Sequence, residues 1–253
     1  MISSSQLSNY QEQGYAIIRG VFSNELLNEI KNEVNRVLSD SSIFNPNNLR
    51  CRYHLQSDTG ARLLEAIDPL TDLSPLFAEI ARHSTIRNLL NELFQEEPCL
   101  FKDKLILKPP GARGYPLHQD YIHWPFFPKT FTTVVIALDQ ATRENGCIEV
   151  FPTLHSHDSF APLDGEFHDL PDTILKGISP VFLELEPGDM ALFGVFMPHR
   201  SAPNPTNRSR RQLYFSYNAE SDGGEQRDFH YRDYLRWLRK RYTEFGSNEL
   251  FFR

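Results

Sequence analysis

The sequence predicts a mainly β fold with flanking helices, a barrel or sandwich behind a helical N-terminal layer. Three observations predict it. Before Pro98 apolar residues recur at helical spacing. From Cys99 onward short runs rich in Val, Ile, Phe and Thr are separated by Pro and Gly. After Asn218 the texture turns helical again. The chain has 253 residues, 40% hydrophobic and 12% aromatic, enough to bury the core of one elaborated domain. The expected division is a single domain: a mainly helical layer over 1–97, a β core over 98–218 with an insert or lid at 153–180, and a helical tail over 219–253.

The elements follow in order. Residues 6–13 suit a short helix and 15–18 a short strand. Ser23-Asn24-Glu25-Leu26 opens a helix with a capping residue, and Leu26, Leu27, Ile30, Val34 and Leu38 continue it at helical spacing. The polar stretch around Pro46 reads as a loop. Two more helices are expected over 73–82 and 84–94. Candidate strands then occupy 100–108, 130–139, 146–152, 181–188, 189–196 and 211–218. Lys102, Lys104 and Lys108 share one face of the first of these, which reads as a solvated face. Residues 153–180 are long, polar and aperiodic, a pattern expected of a cover over a binding site. In the tail, Arg232, Arg236, Arg239, Lys240 and Arg241 are diluted by Asp228, Asp233 and Glu244, as on an exposed, salt-bridged helix.

Composition narrows the partners. A net charge of −7 argues against a general nucleic-acid binder. Cys51, Cys99 and Cys147 are odd in number and widely spaced, so neither a disulfide framework nor a zinc cluster is expected, and a cytoplasmic location is. The opening residues lack a signal-peptide pattern, and no run approaches a membrane span. A small molecule is the expected partner; oligomeric state is open.

The chemistry concentrates in Pro116-Leu117-His118-Gln119-Asp120 and, far downstream, Pro198-His199. Residues i and i+2 on extended backbone point to one face, so His118 and Asp120 can reach a common ion. His199 supplies a second imidazole from a distant segment. Two His and one carboxylate on one face, with open positions opposite, is the ligand pattern of non-haem iron oxygenases. Arg210 follows His199 by eleven positions (210 − 199 = 11) at the start of a strand. Its neighbour Arg211 must point to the opposite face. His155, His157 and His168 lack the Cys or compact carboxylate spacing of a second metal site. Asn204-Pro205 reads as a turn that shapes the loop after His199, and Gly146 as a tight turn.

The blocks KPPGARGYPLHQDYIHWPF, TRENGCIEVFP and PHRSAPNPTNRSRRQLYFSYN closely resemble the phytanoyl-CoA dioxygenase family, as does the opening LSNYQEQGYAIIRGVFS. The resemblance runs over roughly residues 7–218 and is weakest in 41–58, in 153–180 and after 218. It implies a double-stranded β-helix (jelly-roll, cupin-like) core and an enzyme using Fe(2+), 2-oxoglutarate and O2. It places His118, Asp120 and His199 as the catalytic metal ligands. Arg210 falls where the family binds the distal carboxylate of 2-oxoglutarate, and Ser201 where a hydroxyl helps hold it. Tyr121, His123 and Trp124 follow the ligand pair along the pocket wall and are substrate candidates, with His155 as a pocket or lid residue. The implied reaction is hydroxylation of a small molecule, of acyl-CoA or natural-product type, with release of succinate and CO2. Desaturation, epimerisation, cyclisation or endoperoxidation by the same cofactors stays open, as does a non-catalytic metal-binding module. Asp120 disfavours halogenation, because related halogenases lack that carboxylate.

Overall fold

The computed structural model describes residues 4–44, 48–56, 59–124 and 126–245. The α-helices among the described residues are α1 (Ser4–Gln13), α2 (Asn24–Ser39), α3 (Pro75–Ala81), α4 (Ser84–Phe94) and α5 (Arg227–Phe245). The strands are β1 (Tyr15–Ile18), β2 (Cys51–Leu55), β3 (Arg62–Ile67), β4 (Pro98–Lys108), β5 (Tyr115–His118), β6 (Thr132–Ala137), β7 (Ile148–Val150), β8 (Val181–Leu183), β9 (Met190–Gly194), β10 (His199–Ser201) and β11 (Arg210–Ala219). They form two antiparallel sheets. The larger has the order β1-β9-β6-β11-β4-β3-β2 and the smaller β5-β10-β7-β8. This is a jelly-roll core with helices on one side.

The helical layer forms for the reason its spacing suggests. The Ser23 side chain accepts from the amide of Leu26 at 3.3 Å and caps α2. Leu27, Ile30, Val34 and Val37 then form one buried stripe. That stripe and the buried faces of α3 and α4 share a core with Val134, Ile136, Leu192, Leu213 and Phe215, the outer side of the large sheet. The sheet's other side carries Val135, Ala137, Ala191 and Phe193, which pack against Ile148, Val150 and Leu183 of the small sheet. With both sides covered, β6 is buried at every position and shows no alternation of polarity.

The N-terminal third is not only a helical layer. β1 lies along β9, and β2 and β3 extend the large sheet beyond β4. β2 follows the loop around Pro46 in a stretch to which the sequence assigned no element, because its polar Arg52 and His54 hide the apolar pattern of a strand. At the other end, α5 docks on β4 through polar contacts. The Asp103 carboxylate accepts from the amides of Leu70 and Thr71, each at 2.6 Å, and from Arg227 Nε at 2.7 Å. The Tyr231 hydroxyl accepts from the Asp103 amide and donates to Asp68 Oδ1, both at 2.9 Å. Arg236 pairs with Asp233 at 2.9 Å on the exposed side of α5, and the side chains from Arg241 on lie outside the described residues. The three cysteines are buried free thiols. No described helix is long and apolar enough to cross a membrane.

Candidate metal centre

β5 and β10 are neighbours in the small sheet, and their register sets His199 directly opposite His118. The two imidazoles lie with ring centres 4.1 Å apart. Asp120 follows β5 by two residues and turns to the same side. One ligand atom from each of the three lies within 4.8 Å of the others, and among the described residues no other His, Cys, Asp or Glu group does this. The intervening Gln119 points the other way. Its Nε2 donates to Phe196 O at 2.7 Å and its Oε1 accepts from the Phe160 amide at 2.8 Å, which ties the ligand loop to the insert.

Each donor is oriented. His118 Nδ1 lies 2.8 Å from Pro116 O, and His199 Nδ1 lies 2.9 Å from Met197 O. A carbonyl can only accept, so both Nδ1 atoms carry the proton and both Nε2 lone pairs face the cluster. Thr133 Oγ1 donates to Asp120 Oδ2 at 3.1 Å and steadies the carboxylate. Burial, then the neighbouring His199, pushes His118 down to about 3. Burial likewise lowers His199. Burial alone would raise the Asp120 carboxyl, but His199, Lys104 and His118 outweigh it and hold it below the usual carboxylate range. The set is therefore two neutral imidazoles and one carboxylate, the protonation state that a ferrous ion requires.

The same cavity reaches Arg210 at the start of β11. Its volume is about 50 Å³, and its walls include Arg52, Lys104, Ile106, Tyr115, Ile148, Phe193, Ser201 and Tyr214. Arg210 is 2% exposed. Its Nη1 donates to Gln212 Oε1 at 2.5 Å, while its Nε has no partner. Among the described residues no carboxylate pairs with it. A buried guanidinium left so is costly, and a planar carboxylate is the ligand its fork matches. Beside it, Lys108 Nζ donates to Ser201 Oγ at 2.8 Å, to Gly146 O at 3.2 Å and to Ala202 O. Burial and then Arg210 push that ammonium down to about 7. Arg211 points outward and pairs with Asp139 at 2.7 Å, as strand alternation requires. Donor set and unpaired cation together fit a metal ion with a dicarboxylate cosubstrate.

The structure separates the remaining candidates from this cavity. Tyr121 packs among Phe127 and Phe196, His123 is exposed, and Trp124 Nε1 donates to Gly165 O of the insert. His155 turns its Nδ1 to Pro152 O and packs on the turn at Gly14, where a Cβ would collide with its ring. None of the four lines the cavity wall. The insert does approach the metal cluster elsewhere: the Phe167 ring lies 5.4 Å from that of His118. His168 hydrogen-bonds Asp164 at 2.9 Å, and His157 packs on Phe160.

The face bearing Lys102, Lys104 and Lys108 is not solvated. Lys108 is 1% exposed, Lys104 lines the cavity, and Lys102 pairs with Asp68 at 3.2 Å and lies over the Tyr234 ring. The alternation of Lys with apolar residues imitates a surface strand, but here Lys104 lines the cavity, and Leu105 and Leu107 on the other side meet the helical layer. Sequence reasoning also missed Arg52, Tyr115 and Thr133. For Lys104 the signal was its even spacing from Lys108 on a strand. Arg52 lies in a stretch where the resemblance is weakest and offered none.

Asn204 is buried and holds the loop after β10. Its Nδ2 donates to Lys108 O and Arg208 O, each at 2.8 Å, and its Oδ1 accepts from Thr206 N and Oγ1 at 3.1 and 2.7 Å. Asn204→Ala strands several of these groups, so a loss of roughly 2–3 kcal/mol is expected, read as a lower urea midpoint with unchanged slope. An unchanged midpoint would show that water replaces the side chain.

Comparisons with known proteins agree with this geometry. Residues 10–212 match the family described as Phytanoyl-CoA dioxygenase (PhyH). The 2-aminoethylphosphonate dioxygenase of uncultured bacterium HF130_AEPn_1 is 28% identical over 233 residues, 90% of this chain and 86% of that protein. The methylphosphonate hydroxylase of Gimesia maris is 36% identical over 168 residues, 61% of each chain. In fold, EctD from S. alaskensis in its apoform superposes with a TM-score of 0.75 over 89% of this chain and 80% of that one, at 20% identity. With the family match spanning well over half of its length, this chain belongs to the phytanoyl-CoA dioxygenase family and is a 2-oxoglutarate-dependent non-haem iron dioxygenase.

Proposed function

We propose that the chain is one catalytic domain that hydroxylates a small anionic metabolite, a phosphonate being the leading class. His118, Asp120 and His199 hold the iron, and Arg210, with Ser201 and Lys108 beside it, holds the distal carboxylate of 2-oxoglutarate. The observation that carries this reading is one cavity lined by both the His-Asp-His cluster and a buried guanidinium that, among the described residues, no carboxylate pairs with. Two similar relatives bear phosphonate substrates in their names, which supports the substrate class.

Ferrous iron, 2-oxoglutarate and O2, when bound, supply an oxidative decarboxylation coupled to hydroxylation: R–H, O2 and 2-oxoglutarate become R–OH, succinate and CO2. The chain's own residues orient and exclude. The carbonyls of Pro116 and Met197 fix both imidazole tautomers, and Thr133 fixes the carboxylate. Arg210 positions the cosubstrate along the cavity. Leu117, Phe151, Leu154, Leu170 and Leu175 form a small core that seats the insert against β5 and limits water at the site.

The test is spectroscopic and then chemical. Under anaerobic conditions Fe(II) with 2-oxoglutarate is expected to produce a weak visible charge-transfer band. In air, methylphosphonate, 2-aminoethylphosphonate and phytanoyl-CoA are offered in parallel, with succinate measured and products weighed. A product heavier by one oxygen atom is hydroxylated; one lighter by two hydrogens is desaturated. Absence of both band and succinate would sink the proposal in favour of a non-catalytic binding module.

A further inference from the structure

Five cations besides Arg210 lie in or beside the cavity wall, and four of them are satisfied. Arg52 pairs with Glu65 at 3.2 Å and donates to the Tyr115 hydroxyl at 2.6 Å. Lys102 pairs with Asp68 at 3.2 Å. Lys108 donates to Ser201 and backbone carbonyls. Arg200 pairs with Glu149 at 2.8 Å. Lys104 differs. Among the described residues no carboxylate or other acceptor lies within hydrogen-bonding distance of its ammonium, which sits 5.3 Å from the centre of the Tyr214 ring. That contact is a weak substitute for an anion.

Lys104 is also well placed. It stands on the inner face of β4, opposite Tyr214 of β11, in the wall that holds His118, Asp120 and His199. Asp120 is the nearest source of compensation, but in the reading above its charge belongs to the iron. With iron and 2-oxoglutarate bound, the two positive charges of iron would be offset by Asp120 and one carboxylate of the cosubstrate, and Arg210 would offset the other. Two positive charges are left without a carboxylate: Lys108, which Ser201 and two carbonyls hold beside Arg210, and Lys104, which stands in the wall with the metal ligands.

We propose that Lys104, flanked by Arg52, binds the anionic head group of the substrate and is the specificity-determining residue for small phosphonates or carboxylates over neutral molecules. This rests on the dioxygenase reading and adds the place where the substrate's charge is held. Burial pushes the Lys104 ammonium down to about 8, and Lys102 and Arg52 push in the same direction. An anion between Lys104 and Arg52 offsets that crowding and leaves the substrate's carbon end free to face the iron.

The experiment is calorimetric titration of the protein loaded anaerobically with Fe(II) and 2-oxoglutarate. Probes are methylphosphonate, propylphosphonate, propionate and the neutral ester dimethyl methylphosphonate. Wild type is expected to bind at least one anion and not the ester; phosphonate against propionate identifies the head group. K104M is expected to weaken that binding at least about 10-fold, as loss of a charged hydrogen bond implies. K104R is expected to restore most of it. 2-Oxoglutarate affinity, measured separately by the charge-transfer band, should change far less in K104M. If K104M does not fold, K104Q replaces it. Equal anion binding by K104M and wild type overturns the proposal. Parallel loss of anion and 2-oxoglutarate binding overturns it too, because Lys104 then serves the cosubstrate. If no anion binds wild type while the band persists, the subsite fails and the dioxygenase reading stands.

Discussion

His118→Ala is expected to end iron-dependent succinate formation, a loss of at least about 100-fold, since removing even an outer partner of a metal ligand costs roughly 10–100-fold. Asp120→Ala should do the same by another route. The first variant leaves one imidazole and one carboxylate; the second leaves two neutral imidazoles with no charge to hold a dication. Neither should unfold the chain. β5 keeps its backbone pairing with β10, and the core around Leu117 is untouched. Removal of Asp120 also takes away the anion that most offsets the crowding of Lys104, apart from the effect of its neighbours. Iron content after anaerobic loading, succinate yield and the circular dichroism melt together check the expectation. A His118→Ala protein that binds a full equivalent of iron and turns over normally would remove this residue from the metal site.

Arg210→Ala is expected to raise the KM for 2-oxoglutarate by roughly 30-fold or more, with iron binding retained. The basis is burial. The guanidinium is 2% exposed and its Nε is unpartnered, so a carboxylate arriving there gains a charged, largely desolvated pair. Truncating one side of such a pair costs roughly 2–5 kcal/mol, and each 1.4 kcal/mol is about tenfold. Lys108 stays nearby but is engaged with Ser201 and two carbonyls, which limits its power to compensate. Arg210→Lys should fall between, keeping charge and losing the planar fork. The charge-transfer band titrated with 2-oxoglutarate separates binding from turnover. Wild-type affinity in Arg210→Ala would move the carboxylate site elsewhere. Arg211 could not take over, because Asp139 holds it on the opposite face.

The two halves of the molecule differed in how readable they were. α2 and α4 could be read because their apolar stripes are local and their ends are marked. β6, β9 and β11 could be read from their composition. β2 could not, since its polar side chains belong to a cavity that exists only after the sheets close. The same holds for the lysines of β4. Their alternation is a fact of the chain, while the meaning of that alternation depends on which side the small sheet covers. The packing of His155 was likewise beyond local reading: its ring lies on the turn at Gly14, a residue remote along the chain.

What the sequence by itself determined was the donor set and its spacing. Two residues apart on extended backbone point the same way whatever the rest of the chain does, so His118 with Asp120, and Arg210 against Arg211, follow from covalent geometry. Only the tertiary structure decided which cations are paired. Lys102 has Asp68, Arg52 has Glu65, and Lys104 has neither. Charge compensation is a contest among groups remote along the chain, settled by distances that exist only once the two sheets are stacked.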